Sequence, residues 1–437
     1  MVGPPTKRTA APHAFVGLQA NEDPCSRANP LLNRWYGSVD NASASSDLAN
    51  VIHATSHPVL RLNSKRFERS PYIGKWAAED TIFGIYNTRL YPVSLGEDVI
   101  RHYWKLRRGI MLYDVPEKPI DIKGPDAVKL LERALTRRIE DLGILKLRYA
   151  VACTPQGGII MDGLVIRLAE DHFWYVEANG GFEHWLNLLS EGMNVAVSDP
   201  RSRVLQVQGP KSLEFLERAA PGQVPERFRY FNAGLFRLNG MKDVVISRTG
   251  FTGEMGIEIY SNPENDASAF WDYIFEVGKE FDLEMGAGGS MTLRRVEAGI
   301  LDYDMDINPD TTPFDAGLGD LVDFDKPGFV GKAALLDADR RPRLFGLTSE
   351  TGIPRVGTVV LENGVEVGHM TIGDWSPTLK KGVGYVLFDV PENSMGCWVG
   401  QSLAIRTPDG EAHGCEIVSL PFFDADKRIP RGLGEPV

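Results

Sequence analysis

Two stretches of this 437-residue chain share one grammar. Ile120–Asp121–Ile122–Lys123–Gly124–Pro125–Asp126–Ala127–Val128–Lys129–Leu130–Leu131 alternates as a strand, turns at Gly-Pro and continues with helical apolar spacing. Val204–Leu205–Gln206–Val207–Gln208–Gly209–Pro210–Lys211–Ser212–Leu213–Glu214–Phe215–Leu216 does the same. Glycine permits the tight turn, and proline is expected at the first helical position, where its missing N–H is no loss. Two matching strand–helix units predict a duplicated α+β module.

Each unit is followed by strand-like sequence, 158–167 and 173–177 after the first, 235–248 and 256–260 after the second. Apolar residues at three- and four-residue spacing predict helices over 181–191, 267–281 and 290–300. Gly286–Ala287–Gly288–Gly289 reads as the loop into the last of these. Beyond Gly331–Lys332 the texture changes. Short apolar runs at 343–349, 357–361, 365–372, 382–388, 402–405 and 415–420, separated by Gly, Pro, Asn and Asp, predict a small all-β domain, sandwich or barrel. The charged stretch 333–342 reads as a linker. Three regions are thus expected: an N-terminal extension at 1–80, a two-domain α+β region at 81–335, and a β domain at 340–437. The extension is rich in Pro, Ser, Asn and Ala, yet offers Trp35, Tyr36, Tyr72 and Trp76 to bury.

A net charge of -12 argues against a nucleic-acid partner, because little basic surface remains to neutralise phosphates. The basic run Lys105–Arg108 reads as a solvated helix face. Four cysteines without C-x-x-C spacing predict neither zinc nor a disulfide framework, and suit a reducing, cytoplasmic setting. No run approaches the roughly 20 apolar residues needed to span a bilayer. No metal site is expected, since the eight histidines are scattered. Self-association is left open by the sequence.

Two carboxylates stand out. Asp162 lies between Ile159–Ile160 and Leu164–Val165–Ile166, and Glu258 lies in the apolar strand after the glycine-rich Arg248–Gly256 stretch. Buried unpaired, each would be costly, so each should face a cavity or a cation, with Arg248 one candidate partner.

These residues carry a resemblance. Gly157–Gly158–Ile159–Ile160 with Asp162, then Arg248–Thr249–Gly250–Phe251–Thr252–Gly253–Glu254 with Gly256 and Glu258, resembles the glycine-cleavage T-protein (aminomethyltransferase) family. Arg295–Val296–Glu297, Asp304–Met305–Asp306, Phe329–Val330–Gly331–Lys332 and Ser376–Pro377–Thr378–Leu379 follow in the family's order, over about residues 82–425. The resemblance implies a three-domain ring, a folate-binding α+β pair with a C-terminal β-barrel, and tetrahydrofolate in a central channel. By resemblance Glu258 accepts the side-by-side N–H groups of the pterin, Asp162 sits near the reacting nitrogens as the catalytic residue, and Tyr149, Phe251 and Glu177 occupy folate-contacting positions.

Two of these positions depart from the family, Glu177 standing for its asparagine and Phe251 for its usual tyrosine, and further departures fall elsewhere. Met161 replaces the first of two paired aspartates, Tyr113–Asp114–Val115–Pro116–Glu117 replaces the family's Phe-Asp-Val-Ser-His, and Met291 stands where the family has arginine. Ile85–Tyr86–Asn87–Thr88–Arg89–Leu90–Tyr91–Pro92 and Tyr103–Trp104–Lys105–Leu106 are similar to folate-dependent dimethylsulfoniopropionate demethylases of the same superfamily. That likeness implies methyl transfer to folate from a small methylated donor (sulfonium, methylamine or methyl ether), with Tyr86, Tyr91 and Trp104 as candidates to hold it. A true aminomethyltransferase and a non-catalytic folate binder are the alternatives.

Overall fold

The computed structural model describes residues 66–392 and 396–434. Strand Lys118–Lys123 leads through Gly124 into helix Ala127–Ala134, and strand Val204–Gln208 through Gly209 into helix Ser212–Ala219. Both glycines have positive φ, 139° and 125°. A Cβ would lie 2.6 Å from the Asn194 carbonyl oxygen at Gly124 and 2.2 Å from that of Gly109 at Gly209, so conformation and close approach both require glycine. The prolines do not open the helices. Ala127 and Ser212 donate their N–H groups back to the glycine carbonyls at 2.9 and 3.1 Å, so each Gly-Pro-x segment is a β-turn ahead of its helix. Proline's fixed φ suits the second turn position, and Asp126 (φ -94°, ψ 11°) and Lys211 (φ -92°, ψ 8°) take the third.

Each unit anchors one sheet. The first sheet has five strands in the order Leu147–Cys153, Ile159–Ala169, His172–Glu177, Lys118–Lys123 and Ala196–Ser198. The second has six, in the order Ala233–Phe236, Val244–Ser247, Gly256–Tyr260, Val204–Gln208, Met111–Val115 and Glu284–Met285. The β-rich stretch 235–248 supplies the two paired strands Ala233–Phe236 and Val244–Ser247. Leu147, Ile166 and Val176 of the first sheet pack with Val204, Val245 and Tyr260 of the second, and Trp174 meets Tyr260 edge-on at 5.8 Å. Burying such side chains contributes about 1.5–3 kcal/mol each. Helix Ala267–Gly278 covers the second sheet with Phe270, Trp271 and Ile274, and Asp266 caps it by accepting from Ala269 N–H at 2.7 Å.

The C-terminal strands close into a six-stranded barrel, Leu344–Ser349, Lys381–Phe388, Val365–Ser376, Val359–Glu362, Ser402–Arg406 and Ala412–Val418. The stretch read as a linker begins with helix Lys332–Asp337, whose Leu335 is buried against Cys153, Phe314 and Phe329. Asp337 is exposed, whereas Lys332 turns back to donate to the Phe324 carbonyl at 2.8 Å. Helix Gly288–Glu297 starts two residues earlier than its glycines suggested.

Trp35 and Tyr36 lie outside the described residues. Tyr72 is buried against Phe270 and Trp271, and Trp76 donates its Nε1–H to Asp114 Oδ2 at 2.9 Å, beside a hydrogen bond from Ser70 to the same oxygen.

Lys105–Arg108 is not a uniformly solvated face. Arg107, in helix Val99–Arg108, is 2% exposed. Its Nε lies 2.8 Å from Glu254 Oε1, which also accepts from Arg294 Nε at 2.7 Å. Glu297 accepts from Ser376 Oγ at 2.5 Å and Tyr103 Oη at 2.6 Å, so barrel and helices share one buried carboxylate. Removing one member of such a cluster leaves uncompensated charge inside the protein. Glu254→Gln is therefore expected to lower unfolding free energy by about 3–5 kcal/mol, read from the urea midpoint. Glu280→Gln, which breaks the exposed pair with Arg218, should change it by less than about 1 kcal/mol.

Candidate active site

Between the facing sheets lies a cavity of about 240 Å³ lined by Tyr149, Asp162, Glu177, Gln206, Phe251 and Glu258 among others. Strand register explains the convergence. Val151 pairs with Asp162 and Tyr149 with Leu164, so Tyr149 is the diagonal neighbour of Asp162, and its hydroxyl donates to Asp162 Oδ2 at 2.8 Å. Asp162 Oδ1 is buried without a partner. Burial pushes the Asp162 carboxyl up to about 7, opposed by the Tyr149 hydrogen bond and reinforced by Asp302. The same carboxylate, together with burial, holds the Tyr149 hydroxyl well above its usual range.

Across the cavity, Glu258 pairs in register with Gln206 on one side and Ser247 on the other. Its Oε2 accepts from Thr249 Oγ1 at 2.6 Å, Tyr260 Oη at 2.8 Å and Ser247 Oγ at 3.2 Å, and its Oε1 accepts from Gln206 Nε2 at 2.9 Å. All these donors are neutral, so burial still raises the carboxyl above its ordinary value. Arg248, the partner that sequence suggested, instead donates to the Pro430 carbonyl at 3.3 Å. One acid is thus fixed by neutral donors with capacity left on Oε1, and the other presents an unpartnered oxygen. That pair suits a ligand edge bearing N–H groups.

Glu177 lines the same cavity but is committed to its scaffold. It accepts from Asn87 Nδ2 at 3.0 Å and Phe182 N–H at 2.9 Å, and burial lifts it to about 7. Phe251 is half-buried, its ring 5.7 Å from the Arg295 guanidinium. Lys427, exposed, is the lysine among the described lining residues.

A second cavity of about 240 Å³ adjoins the first, sharing Tyr86, Glu117 and Phe251. Tyr91 lines it too, its ring edge-on to Tyr86 at 6.4 Å. Trp104 lies elsewhere. It lines an outer cleft with Lys105, Arg108 and Lys211, stacked at 4.6 Å on the Arg108 guanidinium.

Sequence reasoning missed Gln206, Tyr230, Glu117, Asp302 and Asp374. Gln206 carries the signal that exposed Glu258, a polar residue inside an apolar strand. Asp302 and Asp374 lie 72 positions apart in chain order and meet only through the fold. Among the described residues, no group of three His, Cys, Asp or Glu could hold a metal ion, and no helix is long and apolar enough to cross a membrane.

With this geometry in view, the relatives are informative. Residues 77–326 match the GCVT N-terminal domain, and residues 342–424 match the glycine cleavage T-protein C-terminal barrel domain. The chain is 32% identical to an aminomethyltransferase of Halothermothrix orenii over 336 residues, 74% of this chain and 91% of that one. It is 30% identical to an aminomethyltransferase of a Thermotoga species, covering 83% of this chain and 98% of that one. Its backbone superposes on the crystal structure of aminomethyltransferase T of the glycine cleavage system from Bartonella henselae with a TM-score of 0.72, at 26% identity, covering 82% of this chain and 98% of the other. An α+β region on a C-terminal barrel, two carboxylates across a cavity between the sheets, and these matches over most of the described residues place the chain in the glycine cleavage T-protein (aminomethyltransferase) family of tetrahydrofolate-dependent one-carbon transferases.

Proposed function

We propose that this chain transfers a methyl group from a small methylated donor to N5 of tetrahydrofolate. The observation that carries the reading is Asp162, whose free Oδ1 is buried in the same cavity as Glu258 and whose carboxyl titrates near neutrality. In this reading Glu258 Oε1 receives the pterin N–H edge, and Lys427 offers a cation for the carboxylates of the folate tail. Tetrahydrofolate supplies a ring nitrogen whose lone pair takes the methyl carbon as the carbon–heteroatom bond breaks, the electron pair leaving with the donor's heteroatom. Asp162 accepts the proton released at that nitrogen, while Tyr149 keeps its carboxyl oriented. A sulfonium or ammonium donor leaves neutral and needs no acid, so the remaining task is alignment.

Methyl rather than aminomethyl transfer is supported by Glu117 and Met291, which line the second cavity at positions where the family has histidine and arginine. The alternative, formation of 5,10-methylenetetrahydrofolate, draws on the identity to aminomethyltransferases. Incubation with tetrahydrofolate and a panel of methylated donors, followed by mass analysis of the folate product, separates the two. A methyl adduct is expected, and a methylene adduct would overturn the reading.

Asp162→Asn should lower kcat by roughly 10²–10⁴-fold with little change in folate affinity. In the parent protein kcat should rise with pH through about 7, because burial keeps the carboxyl protonated and idle below that value. Asp162→Asn should erase that limb of the profile. Glu258→Gln should weaken tetrahydrofolate binding by about 10- to 100-fold in calorimetry, the loss of one charge-assisted hydrogen bond. Unchanged affinity would rule out the pterin role.

A further inference from the structure

The second cavity has a lining of unusual polarity. Tyr86, Tyr91 and Phe251 present aromatic surface, and Glu117, Asp302 and Asp374 present carboxyls, with no lysine, arginine or histidine among the described residues lining it. Glu117 Oε2 and Asp302 Oδ1 are both buried without a hydrogen-bond partner. A structural role would leave neither oxygen bare, since an unsatisfied buried acceptor is costly, and more so when charged. Nearby cations are engaged elsewhere. Arg89 donates to the Glu117 backbone carbonyl at 2.8 Å and to Ser202. Arg295 is committed to Asp306 at 2.7 Å and makes a longer ion pair of 3.8 Å with Asp302 Oδ2, leaving Asp302 Oδ1 bare.

We propose that this chamber is the donor site and selects a small organic cation of the onium type, a methylated ammonium or sulfonium, held between the three carboxyls and the faces of Tyr86, Tyr91 and Phe251. The inference rests on the methyl-transfer reading and names its substrate class. An onium ion has no N–H to donate, so bare carboxylate oxygens and aromatic faces recognise it through charge alone. The carboxyls do not converge as a chelate, consistent with the lack of a metal-holding group among the described residues. A diffuse cation wider than a metal ion fits such spread negative potential. The chamber meets the folate-side cavity at Tyr86, Glu117 and Phe251, so a methyl group on the cation can project toward Asp162.

Titration sharpens the inference. Burial lifts Glu117 to about 8, with Glu258 and Asp302 adding to the shift and Arg89 opposing it. Asp302 is lifted to about 6 by burial, with Arg295 opposing and Asp306 and Asp304 reinforcing, and burial also raises Asp374 against Arg355. Ionised carboxyls bind the cation, so affinity should climb as pH rises through these values, although the ligand's own charge never changes.

The test is calorimetry on the full chain without folate, using choline and its neutral carbon isostere 3,3-dimethylbutan-1-ol. Choline is expected to bind at least about tenfold more tightly than the isostere at pH 8.5, with affinity about 25-fold weaker at pH 6.5, following the fraction of ionised Glu117. Glu117→Gln and, separately, Asp374→Asn should reduce the preference and flatten its pH dependence. Thermal melting should show both variants at least as stable as the parent, since each removes a poorly solvated acid. Equal binding of the isostere, or a preference that survives Glu117→Gln, overturns the proposal. Tetrahydrofolate titration of the parent protein keeps the two readings apart. Normal folate binding with no cation preference sinks the donor site alone, and absent folate binding sinks the methyl-transfer reading.

Discussion

Helix Gly288–Glu297 places three charged side chains where a protein normally tolerates none. Arg294, Arg295 and Glu297 are at most 2% exposed. Arg294 joins Arg107 on Glu254, and Phe423 lies against both guanidiniums at 4.9 and 5.4 Å. Arg295 reaches Asp306, which also accepts from Thr371 of the barrel at 2.6 Å, and Tyr385 donates to the carbonyls at the helix end. Each charge is tolerable only because its neighbours are in place. The second sheet, the barrel and the 299–306 segment are therefore fixed relative to one another. The first cavity, lined by Gly299, Ile300 and Leu301 on one flank, inherits its shape from that lattice.

Most of the architecture was legible in the sequence, and the misses have physical reasons. The duplicated units, helix Ala267–Gly278 with its following turn, strand Gly256–Tyr260 and all six barrel strands follow from periodicity and glycine placement. The proline position was misjudged because Gly-Pro-x suits a β-turn as readily as a helix start. The 332–337 helix was missed because six residues carry little periodicity, and its one buried anchor, Leu335, is recognisable only once Phe314 and Phe329 are brought to it. Arg107 looked solvated because a basic run conceals which member turns inward. At the site, Asp162 and Glu258 announced themselves as acids in apolar strands. Asp302 and Asp374 sit in polar loop or strand-end sequence, where an acid is unremarkable until the fold sets it beside Glu117.

The acids around the two cavities are buried in two opposite ways. Glu258 and Glu177 are held in place by neutral donors, with acceptor capacity left on Glu258 Oε1. Asp162, Glu117 and Asp302 each keep an oxygen bare. Folding holds protons on these groups that the unfolded chain would release, so the empty protein loses stability as pH rises from the unfolded carboxyl values toward neutrality. The site is thus maintained against the preference of the free fold, as expected where binding rather than packing sets the residues.

The region matching the family begins at residue 77, yet the folded unit extends further toward the N-terminus. Ser70 and Trp76 saturate one oxygen of Asp114, which lies 5% exposed in the penultimate strand Met111–Val115 of the second sheet, and Tyr72 fills a gap beside Trp271. An expression boundary drawn at the edge of homology would uncover a buried carboxylate of the second sheet and strip an aromatic cover from its helix. The borders of kinship and of cooperative folding differ here by at least seven residues, and the second is the one a crystallographer or engineer should cut by.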